Sequence, residues 1–598
     1  MMPLSADRLA RMLTDNVEQK MHYHSAAQRE HGVMYHVSAQ RRHASALYLC
    51  SKQQLQGAGG GAPSQRGARR VPSGCSARSH APGRTCCVRI GEPIFYELEK
   101  LMYHAAGEYV TDFCIVRSAG TFHLFHIRGE RWTWPLGYRE IDLGHAISAD
   151  LCTWTPLLPV LGPGAPGAWD ESGIWAPDII EVDGVFHMFY TGSDARNNQA
   201  IGMASSSDLH HWDKHPGNPL VTPGAWSDRA VGRDVAGRDG MVYADLERGR
   251  YLMYYTATLA DGRACIALAQ SADLHRWEDM GPTYIEEDRS YNRCESPYLV
   301  RHDGSYYLFY SAKGGPKSKG FPASDFAHFD IEYLVAGTPT GPWMRPTNHT
   351  LLERWTCASE HPTFDGMTYM LYIVQEQLGN IWGASFLSDP KRLVWRPDGT
   401  VAIHEHLPAN VARRNLIAHG ANSQAAWISH GGAWRVGDDG VIDAPDGDGD
   451  AFLMDTLWGA DLACEAEIWL GAASSGSLLV RSNPSALAGY RVSLDAAAGT
   501  LALYLRFPGV ADRPLQVRAV ALPPAGWLLL RVVAHGPCLE VYLDGALWIV
   551  HADSTYASGC FGLHRRGAAR FRNLRADTAA PPGADWAQRC EPRHLRGA

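Results

Sequence analysis

The 598-residue sequence contains no uninterrupted apolar run of about 18 residues, the length that a membrane-spanning helix needs. Its first segment, MMPLSADRLARMLTDNVEQK, lacks the apolar core of a secretory signal. The sequence therefore predicts neither a membrane span nor a signal peptide. The location stays open, with the cytoplasm as the default.

Metal-binding and disulfide patterns are also missing. The 13 cysteines stand singly apart from Cys86 and Cys87, and none belongs to a CxxC pair or to a Cys/His spacing typical of a metal site. The net charge of −8 comes without long charged runs, which argues against nucleic acid or an anionic membrane as a partner. We expect free or partly paired thiols, no metal and no cofactor, and the oligomeric state is left open.

Large apolar residues are scarce near the N-terminus. Residues 51–89 are rich in Gly, Ser, Pro and Arg, and such a composition buries too little apolar surface to offset the entropy lost on ordering. We therefore expect residues 1–95 to be a disordered or spurious extension, and residues 578–598 to be a tail.

Beyond this extension one pattern recurs, a strand-like segment with an aromatic residue or a histidine at an equivalent position near its end. Its repeated positions, at spacings of 64, 65, 55 and 62 residues, are His126, Tyr190, Tyr255, Tyr310 and Tyr372. A second repeat, of the form SADLxxW, ends at Trp154, Trp212 and Trp277, with a looser copy at Trp395. Units of this length, built from short strands and turns, are typical of propeller blades, whereas a long sandwich would not explain a fixed period. We predict an all-β fold with a five-bladed β-propeller at residues 96–420.

After residue 420 the period stops. Segments such as GSLLVRS and GYRVSLDA alternate apolar and polar residues and are separated by Gly, Asp and Pro. This pattern predicts an antiparallel, concanavalin-like β-sandwich at residues 421–577. Covering one side of the propeller is its expected role, and glycan binding is the alternative.

An acidic residue or a histidine stands 11 to 16 residues before each repeated aromatic: Asp112, Asp178, Asp239, Glu295 and His361, with Asp234 as a second candidate in the third unit. Equivalent positions of propeller blades lie at equivalent distances from the central axis, so these side chains are expected to converge. Cleavage of a glycosidic bond needs such a set, because one carboxylic acid protonates the leaving oxygen and one carboxylate attacks the sugar or activates water. The alternative is that they cap turns.

The first-blade Asp, the Arg-Asp pair of the third blade, the Glu beside a Cys in the fourth, and the segment GHAISADLCTW resemble the five-bladed propeller hydrolases of the invertase and levansucrase clan. The C-terminal sandwich is similar to the companion domain of glycoside hydrolase family 32, the β-fructosidases. The resemblance covers residues 103–577. It implies that Asp112 is the nucleophile, that Asp239 with Arg238 stabilises the transition state, and that Glu295 is the acid/base.

Two other interpretations stay open. The segments GIWAPD and ESP look like those of arabinanases and xylosidases of the same fold, in which Asp112 would be the general base of an inverting reaction. A non-catalytic propeller that binds carbohydrate is the third possibility. In every case the expected partner is an oligosaccharide or glycoside.

Further residues are candidates for substrate binding. Asp239 is preferred to Asp234 because the segment RDGMV leads directly into strand residues. Asp178 belongs to the convergent set, and His361 is a candidate for the rim. His145 is a candidate to orient a carboxylate, with a structural histidine as the equal alternative. Candidates to stack on sugar, each with core packing as the alternative, are Trp132, Trp134, Trp175 and Trp226.

Overall fold

The computed structural model describes residues 103, 108–130, 140–227, 237–315, 329–354, 356–378, 381–406, 427–437, 439–444, 449–523 and 526–578. These segments contain 36 strands and one short 3-10 helix, which confirms the all-β prediction. None of the described helical structure has the length and apolar character needed to cross a membrane. The expected N-terminal extension and all but the first residue of the expected tail lie outside the described residues.

The first two repeats each form an antiparallel sheet of four strands that pair in chain order. The first sheet contains β1 (Glu108–Ser118), β2 (Thr121–Glu130), β3 (Glu140–Ser148) and β4 (Trp154–Pro156). The second sheet contains β5 (Gly173–Val182), β6 (Val185–Ser193), β7 (Gln199–Ser206) and β8 (Asp213–Lys214).

The third and fourth repeats have the same arrangement. The third sheet contains β9 (Arg238–Asp245), β10 (Arg250–Thr258), β11 (Ala264–Ser271) and β12 (Glu278–Ile285), with the 3-10 helix Leu246–Arg248 between its first two strands. The fourth contains β13 (Tyr291–His302), β14 (Ser305–Gly314), β15 (Phe329–Ala336) and β16 (Thr350–Leu352).

The fifth repeat corrects the prediction of five separate blades. Its strands are β17 (Thr356–Glu360), β18 (Thr363–Phe364), β19 (Met367–Leu378), β20 (Ile381–Leu387), β21 (Lys391–Trp395) and β22 (Val401–Glu405). In the described part of the chain four separate four-stranded sheets form, because β22 pairs onward from His404 to Ala546 and the fifth repeat becomes one end of a 13-stranded sheet. The pairing covers backbone groups that an open edge strand would leave exposed.

Asp-Gly turns join neighbouring antiparallel strands in three repeats. In the segments VDG, HDG and FDG, the Asp and Gly both have positive φ, 53° and 78° at Asp183 and Gly184. Asp303–Gly304 and Asp365–Gly366 repeat this geometry. Two successive left-handed residues are what a two-residue type I′ hairpin requires, and Asp-Gly meets that requirement at little cost.

The first strands of the five repeats face one another. β1 contacts β5, β5 contacts β9, β9 contacts β13, β13 contacts β17, and β17 contacts β1. The repeated tyrosines lie farther out and are fully buried, each in an apolar core between its own repeat and the preceding one: Tyr190, Tyr255, Tyr310 and Tyr372. The aromatic repeat is therefore a packing signal, whereas the first strands surround the central axis.

The recurring motif SADLxxW marks the turn after the third strand of a sheet. Leu209 and Leu274 are buried there with φ of 65°. Asp208 accepts hydrogen bonds from the backbone N–H groups that follow it, and the indole of Trp212 donates to the carbonyl of Leu209 at 3.2 Å. These contacts assign a structural role to the motif.

The C-terminal strands form the predicted β-sandwich. Its strands are β23 (Ile428–His430), β24 (Arg435–Val436), β25 (Ile442–Asp443), β26 (Asp450–Gly459), β27 (Leu462–Leu470), β28 (Ser475–Ser482), β29 (Gly489–Asp495), β30 (Thr500–Arg506), β31 (Arg513–Ala519), β32 (Trp527–His535), β33 (Cys538–Leu543), β34 (Ala546–Ala552), β35 (Gly559–Arg566) and β36 (Ala569–Thr578). A seven-stranded sheet, in the order β23-β26-β35-β28-β29-β30-β31, packs against the remaining strands across an apolar core.

A buried ion pair joins the sandwich to the fifth repeat. Lys391 Nζ lies 2.8 Å from Glu540 Oε1, and the Lys391 side chain is only 3% exposed. The hydroxyls of Tyr542 and Tyr372 donate to the same carboxylate. Tyr372 belongs to β19, which pairs with β17, the first strand of the fifth repeat. The cluster therefore links a sandwich strand to the sheet of the fifth repeat.

Candidate active site

A β-bulge interrupts the first strand of every repeat, opposite the repeated aromatic. Two residues of the first strand face one residue of the second. The first residue of each pair has positive φ (20°, 46°, 57°, 50° and 47°): Asp112, Ala176, Asp239, Ser296 and Ala358. Bulges re-aim side chains, and a left-handed non-glycine residue costs about 1–3 kcal/mol, so the fold maintains this geometry in all five repeats.

Three acids that the sequence singled out meet at these bulges. Asp112 and Asp239 are first bulge residues, and Glu295 precedes the bulge of the fourth repeat. Ser296 connects them: its hydroxyl donates to Asp112 Oδ1 at 2.9 Å, and its backbone N–H donates to Asp239 Oδ2 at 3.2 Å. The Thr256 hydroxyl also donates to Asp239 Oδ2, at 2.9 Å. First strands from three different repeats therefore present carboxyl groups to one pocket.

Two arginines lie among these acids. The Arg238 guanidinium is hydrogen-bonded through Nη2 to Glu295 Oε1, and its Nε lies 3.6 Å from Asp239 Oδ2. Arg293 Nε lies 3.7 Å from the same Glu295 oxygen. A planar guanidinium shared by two carboxylates fixes the orientation of both. Arg238 thus holds the third-repeat acid and the fourth-repeat acid in one arrangement.

The acids differ in how strongly they retain a proton. Loss of solvation, and then the charge of Asp239, raise the pKa of Asp112 to about 7, although the Ser296 hydrogen bond acts in the opposite direction. Burial also raises the pKa of Asp239, which Arg238 partly offsets. Both aspartates therefore favour the neutral form more strongly than a solvated aspartate does.

Asp178 lies one step further along its strand, directly after the bulge of the second repeat. Its Oδ2 accepts a hydrogen bond of 2.7 Å from the backbone N–H of Val242, which joins the second repeat to the third. Burial raises the pKa of Asp178 to about 7. Asp178 thus belongs to the same group of acids but contacts neither arginine through a hydrogen bond.

Glu360 is the acid that sequence reasoning missed. It directly follows the bulge of the fifth repeat, as Asp178 does in the second. The available signal was the spacing to the repeated tyrosine: Asp178 and Glu360 both stand 12 residues before it, at Tyr190 and Tyr372, whereas His361 stands 11 before. Burial, and then the charges of Asp178 and Asp112, raise the pKa of Glu360 well above its usual range.

The structure does not bring His361 to the carboxylates. Its ring stacks on Phe309, with 3.8 Å between ring centroids, and its Nε2 lies 3.0 Å from the Ser359 hydroxyl. Successive residues of a strand point to opposite faces, so when Glu360 faces the pocket its neighbour His361 faces the core between two repeats. The rim position predicted for His361 is corrected accordingly.

His145 is likewise placed in a histidine cluster. Its Nε2 lies 3.0 Å from His123 Nδ1, its ring stacks on Phe125, and the ring of His210 is 5.1 Å away. None of these neighbours belongs to the carboxylate group, so orienting a carboxylate is corrected to the structural alternative. Burial and the adjacent histidines lower the pKa of His145 to about 3, which keeps its imidazole neutral.

The tryptophan candidates separate into three groups. Trp175 directly precedes the bulge of the second repeat, as Arg238 and Glu295 directly precede the bulges of the third and fourth repeats. Its half-buried ring also packs on the core between the first two repeats. Trp226 donates to Asp279 Oδ2 at 2.7 Å and packs in the core between the second and third repeats, as its structural alternative predicts. Trp132, Trp134 and Asp234 lie outside the described residues.

The family model of the glycosyl hydrolases family 32 N-terminal domain matches residues 114–332. The matched region begins two residues after Asp112 and contains Arg238, Asp239 and Glu295. It ends within the fourth repeat, in β15.

Curated relatives of two kinds match part of the chain. An insoluble β-fructofuranosidase isoenzyme of Arabidopsis thaliana is 34% identical over 236 residues, which are 37% of this chain and 38% of that protein. Arabinan endo-1,5-α-L-arabinosidase A of Aspergillus niger is 26% identical over 163 residues, 27% of this chain and 47% of that protein. The chain therefore spans less than half the length of these relatives.

Solved structures match over a longer stretch. Fructan 1-exohydrolase IIa from Cichorium intybus has a TM-score of 0.57 at 16% identity, covering 80% of this chain and 96% of that one. Sucrose-6-phosphate hydrolase from Lactobacillus gasseri has a TM-score of 0.56 at 17% identity, covering 79% and 93%. At these identities the likeness establishes the shared fold of propeller and sandwich.

Proposed function

We propose that this protein is a glycoside hydrolase that cleaves O-glycosidic bonds of a furanoside. The observation that carries the proposal is the convergence of Asp112, Asp239 and Glu295 from three first strands, held together by Ser296 and Arg238. The family 32 match over the strands that supply two of these acids supports the same reaction class. The substrate is an oligosaccharide or glycoside, and the reaction uses no cofactor.

The proposed reaction follows the two-step course of a retaining glycosidase. Glu295 gives its proton to the leaving oxygen while the Asp112 carboxylate attacks the anomeric carbon and forms a glycosyl-enzyme. Water then attacks that carbon, Glu295 takes the proton of the water, and the Asp112–carbon bond breaks. Atoms balance, because the sugar gains a hydroxyl and the leaving group gains a hydrogen.

Asp239 and Arg238 have the supporting role in this proposal. Positive charge develops on the sugar ring in the transition state, and a fixed carboxylate beside the ring stabilises it. Asp239 is well suited because Thr256, Ser296 and Arg238 restrain its Oδ2. Arg238 is proposed to bind sugar hydroxyls beside the two carboxylates that it contacts.

An inverting arabinanase- or xylosidase-like reaction is the second candidate function. The position of Asp178 directly after the bulge of the second repeat favours it. This acid, from the segment GIWAPD, is a fourth carboxyl beside Asp112, Asp239 and Glu295. Its Oδ2 accepts a hydrogen bond from the backbone N–H of Val242 in β9, and a relative of the arabinanase kind matches the chain. In that reaction Asp112 would act as the base for a water molecule, and no covalent intermediate would form.

A panel of aryl glycosides, sucrose, fructans and arabinans tests the proposal, with the anomer of the first product followed by NMR. Cleavage with retained configuration supports the β-fructosidase-like reaction, and inverted configuration supports the second candidate. Asp112→Asn is the control for contaminating activity, because it should abolish turnover in either case. Binding of a sugar by the wild-type chain without any cleavage would instead identify a non-catalytic carbohydrate-binding propeller.

The proposed division of labour follows the predicted domains. Residues 96–420 are proposed to form the catalytic propeller, and residues 421–577 the companion sandwich. Contacts among the first strands of the five repeats close into a ring, although the sheet of the fifth repeat continues into the sandwich.

A further inference from the structure

The residues that directly follow the five bulges occupy one equivalent position in all repeats. Each pairs with the residue that precedes the repeated aromatic on the second strand. Their side chains therefore extend from equivalent positions of the five first strands. These post-bulge residues are Cys114, Asp178, Met241, Tyr298 and Glu360. The same two acids, Asp178 and Glu360, are the groups whose charges raise the pKa of both Cys114 and Tyr298, so the four side chains are close in space.

Glu360 differs from the other deeply buried acids of the propeller. Glu286 is paired with Arg345, Glu332 accepts hydrogen bonds from Tyr310 and Tyr291, and Asp170 is paired with Lys214 at 2.5 Å. Within the described residues, no hydrogen bond or ion pair joins Glu360 to another side chain. Its residue is half-buried rather than sealed, and its carboxyl oxygens, which have no hydrogen-bond partner among the described residues, are not fully buried.

An acid in this position is costly for folding. Removing a carboxyl from water without a hydrogen-bond partner strongly disfavours its charged form. Among the described residues, the charges that act on Glu360 come from Asp178 and Asp112, which are acids and increase that cost. A pocket-lining acid that is not compensated within the fold is the kind of residue that a ligand compensates.

We propose that Glu360 is a sugar-binding and specificity-determining residue, which together with Asp178 holds hydroxyl groups of the glycosyl unit that lies against Asp112. This assignment rests on the proposed function and adds to it a contact from the fifth repeat. Glu360 touches substrate but takes no part in bond cleavage.

The chemistry of the two acids fits hydroxyl groups. A protonated carboxyl donates one hydrogen bond through its O–H and accepts others through its carbonyl oxygen, and a sugar hydroxyl likewise donates and accepts. The raised pKa values of Asp178 and Glu360 favour this neutral form near pH 7. Asp178 is already oriented by the Val242 N–H at 2.7 Å, so its remaining oxygen is fixed in direction.

The test compares Glu360→Ala and Glu360→Gln with the wild-type chain on a glycoside that it cleaves and on the monodeoxy analogues of its glycosyl unit. Met241→Leu is the matched control, because Met241 occupies the same post-bulge position without a polar group. We expect Glu360→Ala to lower kcat/KM on the order of 10- to 100-fold, which corresponds to the loss of one or two hydrogen bonds. Glu360→Gln should lose less, because an amide also donates and accepts.

The deoxy analogues decide between recognition and general damage. For the analogue that lacks the contacted hydroxyl, wild type and Glu360→Ala should have equal kcat/KM. An equal loss on every analogue, or no loss on any substrate, overturns the proposal. If Glu360→Ala does not fold, as judged by its melting temperature, the same comparison with Glu360→Gln gives the answer.

Failure of this proposal can be distinguished from failure of the proposed function. If the wild-type chain cleaves no glycoside, calorimetric titration with fructose, arabinose and xylose replaces kinetics. Binding that Glu360→Ala abolishes and Met241→Leu retains supports the sugar contact in a chain that lacks the activity. Binding that both variants retain, or no binding by the wild type, overturns it.

Discussion

The Ser296 hydroxyl donates a hydrogen bond of 2.9 Å to Asp112 Oδ1 and so joins the bulge of the fourth repeat to that of the first. Both residues occupy the first bulge position of their strand. Ser296 follows Glu295 in the chain, so one short segment supplies the proposed acid/base and orients the proposed nucleophile. This contact couples the placement of the two catalytic groups.

Replacing Ser296 should therefore change the pH dependence of activity. The Ser296 hydrogen bond favours the ionised form of Asp112, whose pKa is raised to about 7 by burial and Asp239. The nucleophile must be ionised, so kcat/KM should rise with pH through this pKa. Ser296→Ala removes the opposing hydrogen bond and should raise the pKa of Asp112, moving the acidic limb to higher pH. Ser359→Ala, at the bulge of the fifth repeat, is the control and should leave the acidic limb of the pH profile in place. If the acidic limb does not move in Ser296→Ala either, the proposed role of Asp112 as nucleophile is contradicted.

The third-repeat acid should be essential for turnover. Asp239→Asn keeps the shape of the side chain but removes the charge that balances the developing positive charge on the sugar. We expect its kcat to fall by about 100-fold or more, while Asp234→Asn has a mild effect. Rates and melting temperatures of both variants check this prediction. The reverse pattern would transfer the role of transition-state stabiliser to Asp234.

The fourth-repeat acid should be needed most where the leaving group is poor. Glu295→Gln cannot protonate the departing oxygen, so turnover should fall sharply with alkyl or sugar leaving groups and much less with activated aryl glycosides. Steady-state kinetics on a matched aryl and alkyl series is the measurement. An equal loss on both series, with a lower melting temperature, would assign Glu295 a structural role.

The ion pair between Lys391 and Glu540 should stabilise the connection of sandwich and propeller. Glu540→Gln leaves the buried ammonium of Lys391, 3% exposed, without its carboxylate, at an expected cost of about 3–5 kcal/mol in the free energy of unfolding. The double variant Lys391→Met, Glu540→Leu should recover most of this loss, because both charges are gone. Urea unfolding of the single and double variants measures the difference. Equal stability of wild type and Glu540→Gln would contradict the coupling.

Local sequence determined the repeats and their turns. The tyrosines that fill the cores between repeats, such as Tyr190 and Tyr310, recur because each unit buries the same face of its second strand. Asp-Gly hairpins such as Asp183–Gly184 follow from the conformational needs of two-residue turns. Asp112, Asp239 and Glu295 were also identifiable, because an acid at a strand entry recurred in phase with these signals.

Tertiary structure alone decided which side chains of the first strands face the pocket. A bulge shifts the alternation of a strand by one residue, and a shift of one residue moves every following side chain to the other face. For this reason the sequence pointed to His361, whereas the folded strand presents Glu360 to the acids and His361 to Phe309. Equally, the fusion of the fifth sheet with the sandwich depends on one long-range pair, His404 with Ala546, which no local pattern encodes. The sequence by itself determined the elements, their order and the acids available; long-range strand pairing decided how they meet.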